Sequence, residues 1–300
     1  MNACANIAKP RGKLRHGEPM SQHTVWACGG PAERFFEPAD LEDLVGYVGS
    51  RDSTEPMFWL GLGSNLLVRD GGLRGSVIAL AGALDGCDFD GSTARVQAGT
   101  PCAKLARAAG RAGLAGATFF AGIPGTVGGA LAMNAGAFGG ETWSHVRRVH
   151  TLDRAGALRW REVSEYAVGY RTVTGPADEW FVAAELEFER AADPARDARQ
   201  EIRALLARRA ASQPTGVRSC GSVFRNPQGD YAGRLIESCG LKGRRRGDAY
   251  VSEKHANFII NAGTATAADI EALIDDVRMT VLNETGIALQ PEVCIVGEVA

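Results

Sequence analysis

Residues 119–140 read FFAGIPGTVGGALAMNAGAFGG, with glycine at seven positions. Backbone without Cβ atoms can bring its amide N–H groups against a ligand and can take φ > 0 without strain. Consecutive N–H groups in turns make concave sites for anions such as phosphates. A flexible linker would be polar. This run instead carries Phe119, Phe120, Ile123, Val127, Leu131, Met133 and Phe138, and is expected to be packed and ordered. A second loop, Gly61-Leu62-Gly63-Ser64-Asn65-Leu66-Leu67, follows an apolar stretch that reads as a buried strand. It can offer amides and two short polar side chains to a pyrophosphate. Leu66 stands where the third glycine of a Rossmann fingerprint belongs, and no Gly-Lys-Ser/Thr follows, so the P-loop pattern is also unmet. Alone, the loop is equally well explained as a plain turn. Paired with 119–140, it suggests a large dinucleotide held by two loops.

Three isolated residues could add reactivity. Arg171, after Tyr170, can grip a carboxylate or a developing oxyanion with two parallel bonds. An exposed loop arginine is more commonly plain surface. Ser222 lies in Gly-Ser-Val-Phe-Arg-Asn-Pro (221–227), which lacks the second glycine of a nucleophile elbow. None of the five histidines has a spacing that pairs it with Ser222, so a hydrolase nucleophile is not indicated. A serine hydroxyl can instead donate a proton to a strong base formed beside it. Glu292 opens the last apolar stretch, a place where a lone glutamate is usually surface. Lys242, Arg244, Arg245 and Arg246 form a basic cluster that reads first as a solvated turn and second as a grip on an anion. No metal-binding spacing of His, Cys, Asp or Glu is present, and no catalytic metal is expected.

The elements that must position these residues follow from periodicity. Helices are expected over 38–48, 100–114 (weakened by Gly110 and Gly113), 190–212, 230–239, and from a Thr266 cap to Gly286. In the last of these, Ile270, Leu273, Ile274, Val277 and Val281 make the apolar stripe. In 190–212 the stripe is Ala198, Ile202, Leu205 and Leu206. Strands are expected at 57–61, 76–80, 146–152, 180–188, 257–261 and 292–296. Helices and strands do not alternate strictly, which favours α+β over a doubly wound sheet. Glycine supplies 38 of 300 residues, about 13% against a usual 7% or so. The net charge of −2 gives no general pull toward nucleic acid or an anionic membrane. The seven cysteines show neither zinc nor disulfide spacing, and no apolar run reaches signal-peptide or membrane-spanning length. A cytoplasmic protein is expected.

Eight segments in this order resemble the UDP-N-acetylenolpyruvoylglucosamine reductases. They are HTVWACGGPAE (23–33), GLGSNLLV (61–68), AGIPGTVGGALAMNAGAFGGE (121–141), GYR (169–171), GSVFRNP (221–227), AGRLIESCGLKG (232–243), VSEKHANFIIN (251–261) and PEV (291–293). The resemblance implies an FAD-binding fold of the vanillyl-alcohol oxidase/p-cresol methylhydroxylase type, followed by a smaller α+β substrate-binding domain. The expected limits are an N-terminal arm at 1–20, an FAD-binding domain at 21–192 with two subdomains meeting near 83, and the substrate domain at 193–300. It further implies noncovalent FAD, held by Gly61, Gly63, Ser64, Asn65 and Leu66 and by Gly125, Thr126, Val127, Gly128, Gly129, Asn134, Ala135 and Gly136. NADPH is the implied co-substrate and UDP-N-acetylglucosamine enolpyruvate the implied substrate, in peptidoglycan precursor synthesis by a monomer. Arg171, Ser222 and Glu292 resemble the catalytic trio; Tyr170, Arg225 and Asn226 resemble substrate or nicotinamide contacts. Hydride would pass from NADPH to FAD N5 and on to substrate C3, with Ser222 protonating C2. The short spacing from Arg171 to Ser222 resembles the compact branch, which lacks an extra substrate-covering loop. Ala27, Val173 and Cys294 depart from residues common in the family. An FAD oxidase of the same fold would share both glycine loops but need neither GSVFRNP nor the terminal PEV.

Overall fold

A computed structural model describes residues 9–192 and 197–300. The first part of the expected N-terminal arm (1–8) and residues 193–196 of the expected connecting helix lie outside the described residues. Contacts divide the chain into two compact units, and neither is one continuous stretch. Among the described residues the first comprises 9–16, 34–61, 75–192 and 197–206, and the second 17–33, 62–74 and 207–300. Segments 17–33 and 62–74 thus cluster with the C-terminal residues.

The first unit is organised by a five-stranded antiparallel sheet. Its order is Leu158–Glu162, Val146–Asp153, Glu179–Glu187, Thr93–Gln97, Cys87–Asp90. Alternation aims Val149, Ala184, Leu186, Ala94 and Val96 into one buried cluster. That cluster also takes Leu105 and Ala109 of helix α2 (Cys102–Arg111) and Val127 and Leu131 of helix α3 (Val127–Ala132). A second cluster gathers Phe36, Ile78 and Val182 with Leu44 and Val48 of helix α1 (Leu41–Gly49). Asp40 caps α1 by accepting from Asp43 N. The strand Met57–Leu60 runs parallel to Leu73–Ala79, Phe58 opposite Val77, and leads straight into Gly61. Gly110 lies within α2 at a position where a Cβ would come 2.5 Å from Ala198 Cβ, which accounts for glycine in the helix. Ala198 opens helix α4 (Ala198–Ser212), which buries only Ala198 and Ile202. Leu206, expected on its apolar stripe, is 40% exposed. Residues 13–19, expected within a polar arm, form a strand at a sheet edge. An edge strand is held by backbone bonds and tolerates charged side chains, so an apolar pattern is not needed to make it.

The second unit packs helices α5 (Ala232–Ser238) and α6 (Ala267–Thr285) with a small sheet in the order Arg245–Arg246, Ala249–Val251, Ile259–Asn261. Ile270, Leu273, Ile274, Val277 and Val281 of α6 are all buried, each contributing roughly 1.5–3 kcal/mol of transfer free energy. Thr266 and Asp269 form a capping box, and Gly286 closes the helix at φ +73°. Asp70 adds a carboxylate at the same N-terminus, accepting from Ala267 N (3.0 Å) and Ala268 N (2.9 Å). Leu66–Val68 pairs in parallel with Cys294–Val296.

Candidate active site

In the first unit the glycine run folds as a 3₁₀ turn (Thr118–Gly122), helix α3, and a hairpin of Gly136–Ala137 with Gly140–Glu141. Its glycines mostly serve close packing. A Cβ on Gly122 would lie 2.4 Å from the Phe138 ring, and one on Gly140 2.6 Å from that of Phe119. Several amides assumed available to a ligand are engaged inside the protein. Gly125 N donates to Ile123 O, Val127 N to Thr100 O, Gly128 N to Ala98 O and Ala135 N to Ala130 O. Those four residues can meet a ligand only through other atoms. Gly129 differs: it is exposed, and the nearest atom to a Cβ built there is Thr126 Oγ1 at 3.9 Å. Gly61 packs on the same threonine, 2.4 Å from a Cβ to Oγ1, so the end of the first loop and the run meet within this unit.

Tyr170 and Arg171 form the two-residue tip of a hairpin pairing Ala167–Gly169 with Thr172–Thr174. Arg171 takes φ +53°, a conformation uncommon for a non-glycine residue. Its guanidinium donates to Asn134 O (3.2 Å) and Gly136 O (3.1 Å), carbonyls of the glycine run. The Tyr170 ring, 48% exposed, lies 5.3 Å from Arg171 Cζ. Val173 pairs with Val168 and packs on the adjoining core.

In the second unit three segments converge. The Asn65 side chain donates to Glu292 O (2.9 Å), and Cys294 N donates to Asn65 O (3.0 Å). Glu292 N donates to Val223 O (2.7 Å), Arg225 N to Gln290 O (2.9 Å), and Phe224 bridges Pro291. Ser222, Arg225 and Glu292 are therefore carried on adjoining stretches of backbone. Ser222 and Glu292 are both half-buried. Gly63, at φ +61°, sits so near His23 O that a Cβ would approach to 2.0 Å. The next segment after His23 includes Ala27, also left-handed at φ +54°.

Two buried polar atoms here have no hydrogen-bond partner among the described residues, Ser219 Oγ and Arg225 Nε. Buried polar groups are rarely left this way unless a ligand or water completes them. Asn226 Oδ1 accepts from Ala232 N (3.1 Å), so this side chain has a structural duty at the start of α5. Two members of the basic cluster are ion-paired, Lys242 with Glu237 and Arg244 with Asp276, and Arg245 lies over the Tyr250 ring. Among the described residues no group of three His, Cys, Asp or Glu could hold a metal ion, and no helix is long and apolar enough to cross a membrane.

Residue types alone overlooked Asn257. It is 3% exposed, accepts from Phe224 N (2.9 Å) and donates to Phe224 O (2.8 Å), holding the segment that bears Ser222 and Arg225. Glu141, which accepts from Asn134 Nδ2 (3.0 Å), was also assigned no role. The available signal was a polar residue inside an apolar stretch, as in His-Ala-Asn-Phe-Ile-Ile-Asn.

A glycine run that holds one open glycine and is bonded to a fixed cation, with a strand delivering Gly61 onto it, suits an anionic ligand. Comparison with known proteins agrees. Residues 32–161 match the FAD binding domain family, and 213–296 match the family described as UDP-N-acetylenolpyruvoylglucosamine reductase, C-terminal domain. The UDP-N-acetylenolpyruvoylglucosamine reductase of Alkalilimnicola ehrlichii is 61% identical over 96% of each chain. That of Methylococcus capsulatus is 57% identical over 99% of this chain and 97% of its own. A crystal structure of the Thermus caldophilus reductase superposes with a TM-score of 0.81 at 34% identity, covering 95% of this chain and 98% of that one. The fold is thus an α+β FAD-binding fold together with the C-terminal domain type of these reductases, and the protein is an FAD-dependent oxidoreductase. The chain belongs to the UDP-N-acetylenolpyruvoylglucosamine reductase family.

Proposed function

We propose that this chain uses NADPH to reduce the enolpyruvyl group of UDP-N-acetylglucosamine enolpyruvate, giving UDP-N-acetylmuramate for peptidoglycan precursors in the cytoplasm. The observation that carries the reading is the Arg171 guanidinium bonded to the carbonyls of Asn134 and Gly136. It ties a permanent cation to the glycine run, which lies within residues 32–161, the span that matches the FAD binding domain family. Held noncovalently by the two glycine loops, FAD would supply the redox chemistry, relaying hydride from NADPH to C3 of the substrate. Negative charge then builds on C2 and spreads into the adjoining carboxylate. Arg171 stabilises that charge from a preorganised position, the effect that is often the largest in catalysis. Glu292 stabilises the enol form by holding or sharing its proton. Ser222 gives its hydroxyl proton to C2, since an adjacent carbanion or enolate is basic enough to take it.

The binding roles follow the same lines. Gly61, Gly63, Ser64, Asn65 and Leu66, with Gly125, Thr126, Val127, Gly128, Gly129, Ala135 and Gly136, hold the cofactor, Gly129 being the position most open to it, while the Asn134 amide is engaged within the protein. Tyr170, Arg225 and Asn226 contact substrate or nicotinamide. The unpartnered Arg225 Nε supports an anionic ligand at that point. Asn226 would contribute its amide nitrogen, because Oδ1 is engaged at α5.

Anaerobic stopped-flow mixing of the purified protein tests the reading. NADPH should bleach the flavin absorption, and UDP-N-acetylglucosamine enolpyruvate should restore it. A protein without flavin, or a bleached flavin that this substrate leaves unchanged, would sink the proposal.

A further inference from the structure

We propose that Asn134 is the positioning residue for Arg171, and that it acts through a reciprocal clamp rather than by contacting the cofactor. The inference rests on the role given to Arg171 above. Asn134 is 2% exposed, and both N–H groups of its amide are engaged: Nδ2 donates to Glu141 Oε2 (3.0 Å) and to Gly169 O (3.2 Å). Its Oδ1 accepts from Trp143 N (3.1 Å). A flipped amide would set an oxygen against a carboxylate and a carbonyl and a nitrogen against an N–H, so the orientation is fixed by its partners. The side chain therefore has no donor to offer a flavin.

The clamp closes in the opposite direction. Gly169 ends the strand that leads into the hairpin tip, and Arg171 at that tip donates back to Asn134 O and Gly136 O. Both residues have left-handed backbone, φ +43° at Asn134 and φ +53° at Arg171. Asparagine is among the few non-glycine residues enriched there, which suits position 134 on backbone grounds as well as by its amide. An arginine held left-handed at a turn persists only where its surroundings over-determine it. The Asn134–Gly169 bond and the two Arg171–carbonyl bonds do so. Glu141, the acceptor behind Asn134, completes the support. The glycine run and the catalytic cation are thus one mechanical piece, and the direction of the guanidinium is inherited from Asn134.

The test uses Asn134→Ala, Asn134→Asp, Glu141→Gln and Arg171→Lys in the full chain. Asn134→Ala should leave the FAD dissociation constant, read by titrating apoprotein, within about 3-fold. It should slow substrate-driven flavin reoxidation about 10- to 100-fold, the scale of a small misplacement of a catalytic group. Asn134→Asp should behave alike, and it keeps the test open if the alanine variant does not fold. Glu141→Gln retains an acceptor oxygen and should stay within about 3-fold of the parent rate. In the Arg171→Lys background, Asn134→Ala should add less than about 3-fold, because coupled residues are non-additive. Amide hydrogen exchange at residues 169–173 should quicken about tenfold in Asn134→Ala, with the strand Glu179–Glu187 unchanged. That arm is independent of the substrate assignment. Unaltered exchange at the tip, a tenfold loss of FAD affinity with a normal reoxidation rate, or multiplicative effects of Asn134→Ala and Arg171→Lys would each overturn the proposal. Failure of the reaction assignment would show separately, as a parent enzyme whose flavin the substrate cannot reoxidise.

Discussion

Ser222 is a weak acid in water, and its competence as a proton donor depends on where the backbone holds it. Asn257 holds both polar groups of Phe224, two residues on, and Val223 O accepts from Glu292 N. In the proposed reaction the hydroxyl is needed only once hydride has reached C3. Ser222→Ala should therefore leave flavin reduction by NADPH within about 3-fold and slow reoxidation by substrate at least about 100-fold, the lower end for a lost general acid. Ser222→Cys, which keeps an ionisable proton, should recover part of the second rate. Equal losses in both half-reactions would remove the donor role, and rapid-mixing absorbance traces distinguish the cases. At this scale the sequence disclosed the candidates only through ordered motifs. One arginine, one serine and one glutamate separated by long intervals carry no signal of their own, because what joins each to its neighbours is tertiary. Asn134 is the sharper lesson. Its setting among glycines suggested a ligand contact, whereas its amide is engaged with Glu141, Gly169 and Trp143.

Elements were legible where side-chain periodicity and caps made them. The α6 stripe and its Thr266 cap, and the strand leading to Gly61, could be read directly because burial of one face demands those patterns. The charged strands Lys13–Pro19, Cys87–Asp90 and Leu158–Glu162 were not, since pairing at a sheet edge is made by the backbone. Glycine content was legible as a fact and ambiguous as a cause: much of it serves chain-to-chain packing within the run. Gly61 is the clearest example. It delivers the first loop against Thr126, which is 2% exposed, so the junction has no slack. Gly61→Ala should raise the FAD dissociation constant about tenfold, since overpacking a close contact typically costs about 1–3 kcal/mol. Adding Thr126→Ala removes Oγ1 and Cγ2, the atoms 2.4 and 3.2 Å from the new Cβ, and should restore most of the affinity. Apoprotein titration with FAD reads both. A double variant no better than Gly61→Ala would show that the glycine serves something other than this contact.

Across the whole molecule, four groups that titrate on the acid side, His150, His255, Glu179 and Glu185, oppose protonation of the folded state. His150 stacks on Trp160 (4.5 Å), whose other neighbours are the guanidinium groups of Arg95 and Arg148. Burial first, then those two cations, lower its pKa. Burial likewise lowers that of His255. Glu185 is held below the usual carboxylate range chiefly by its hydrogen bond from Arg148, and Glu179 by that from Arg161. For each histidine the unfolded chain titrates near 6.5 or so and the folded chain lower, so between those values the unfolded state binds more protons. Stability must then fall as pH drops below about 6.5, and this loss ends beneath the folded pKa. The glutamates add stability that is present above about pH 4.3 and lost as pH falls through their depressed values. Thermal melts at constant FAD excess from pH 8 to 3 should show the midpoint declining in two stages on acidification, with no rise in between. His150→Gln should flatten part of the first stage and leave the second unchanged, even if the lost stacking lowers every midpoint together. A midpoint that climbs between pH 7 and 5 would contradict this sign, and would require a group whose folded pKa is raised to outweigh both histidines.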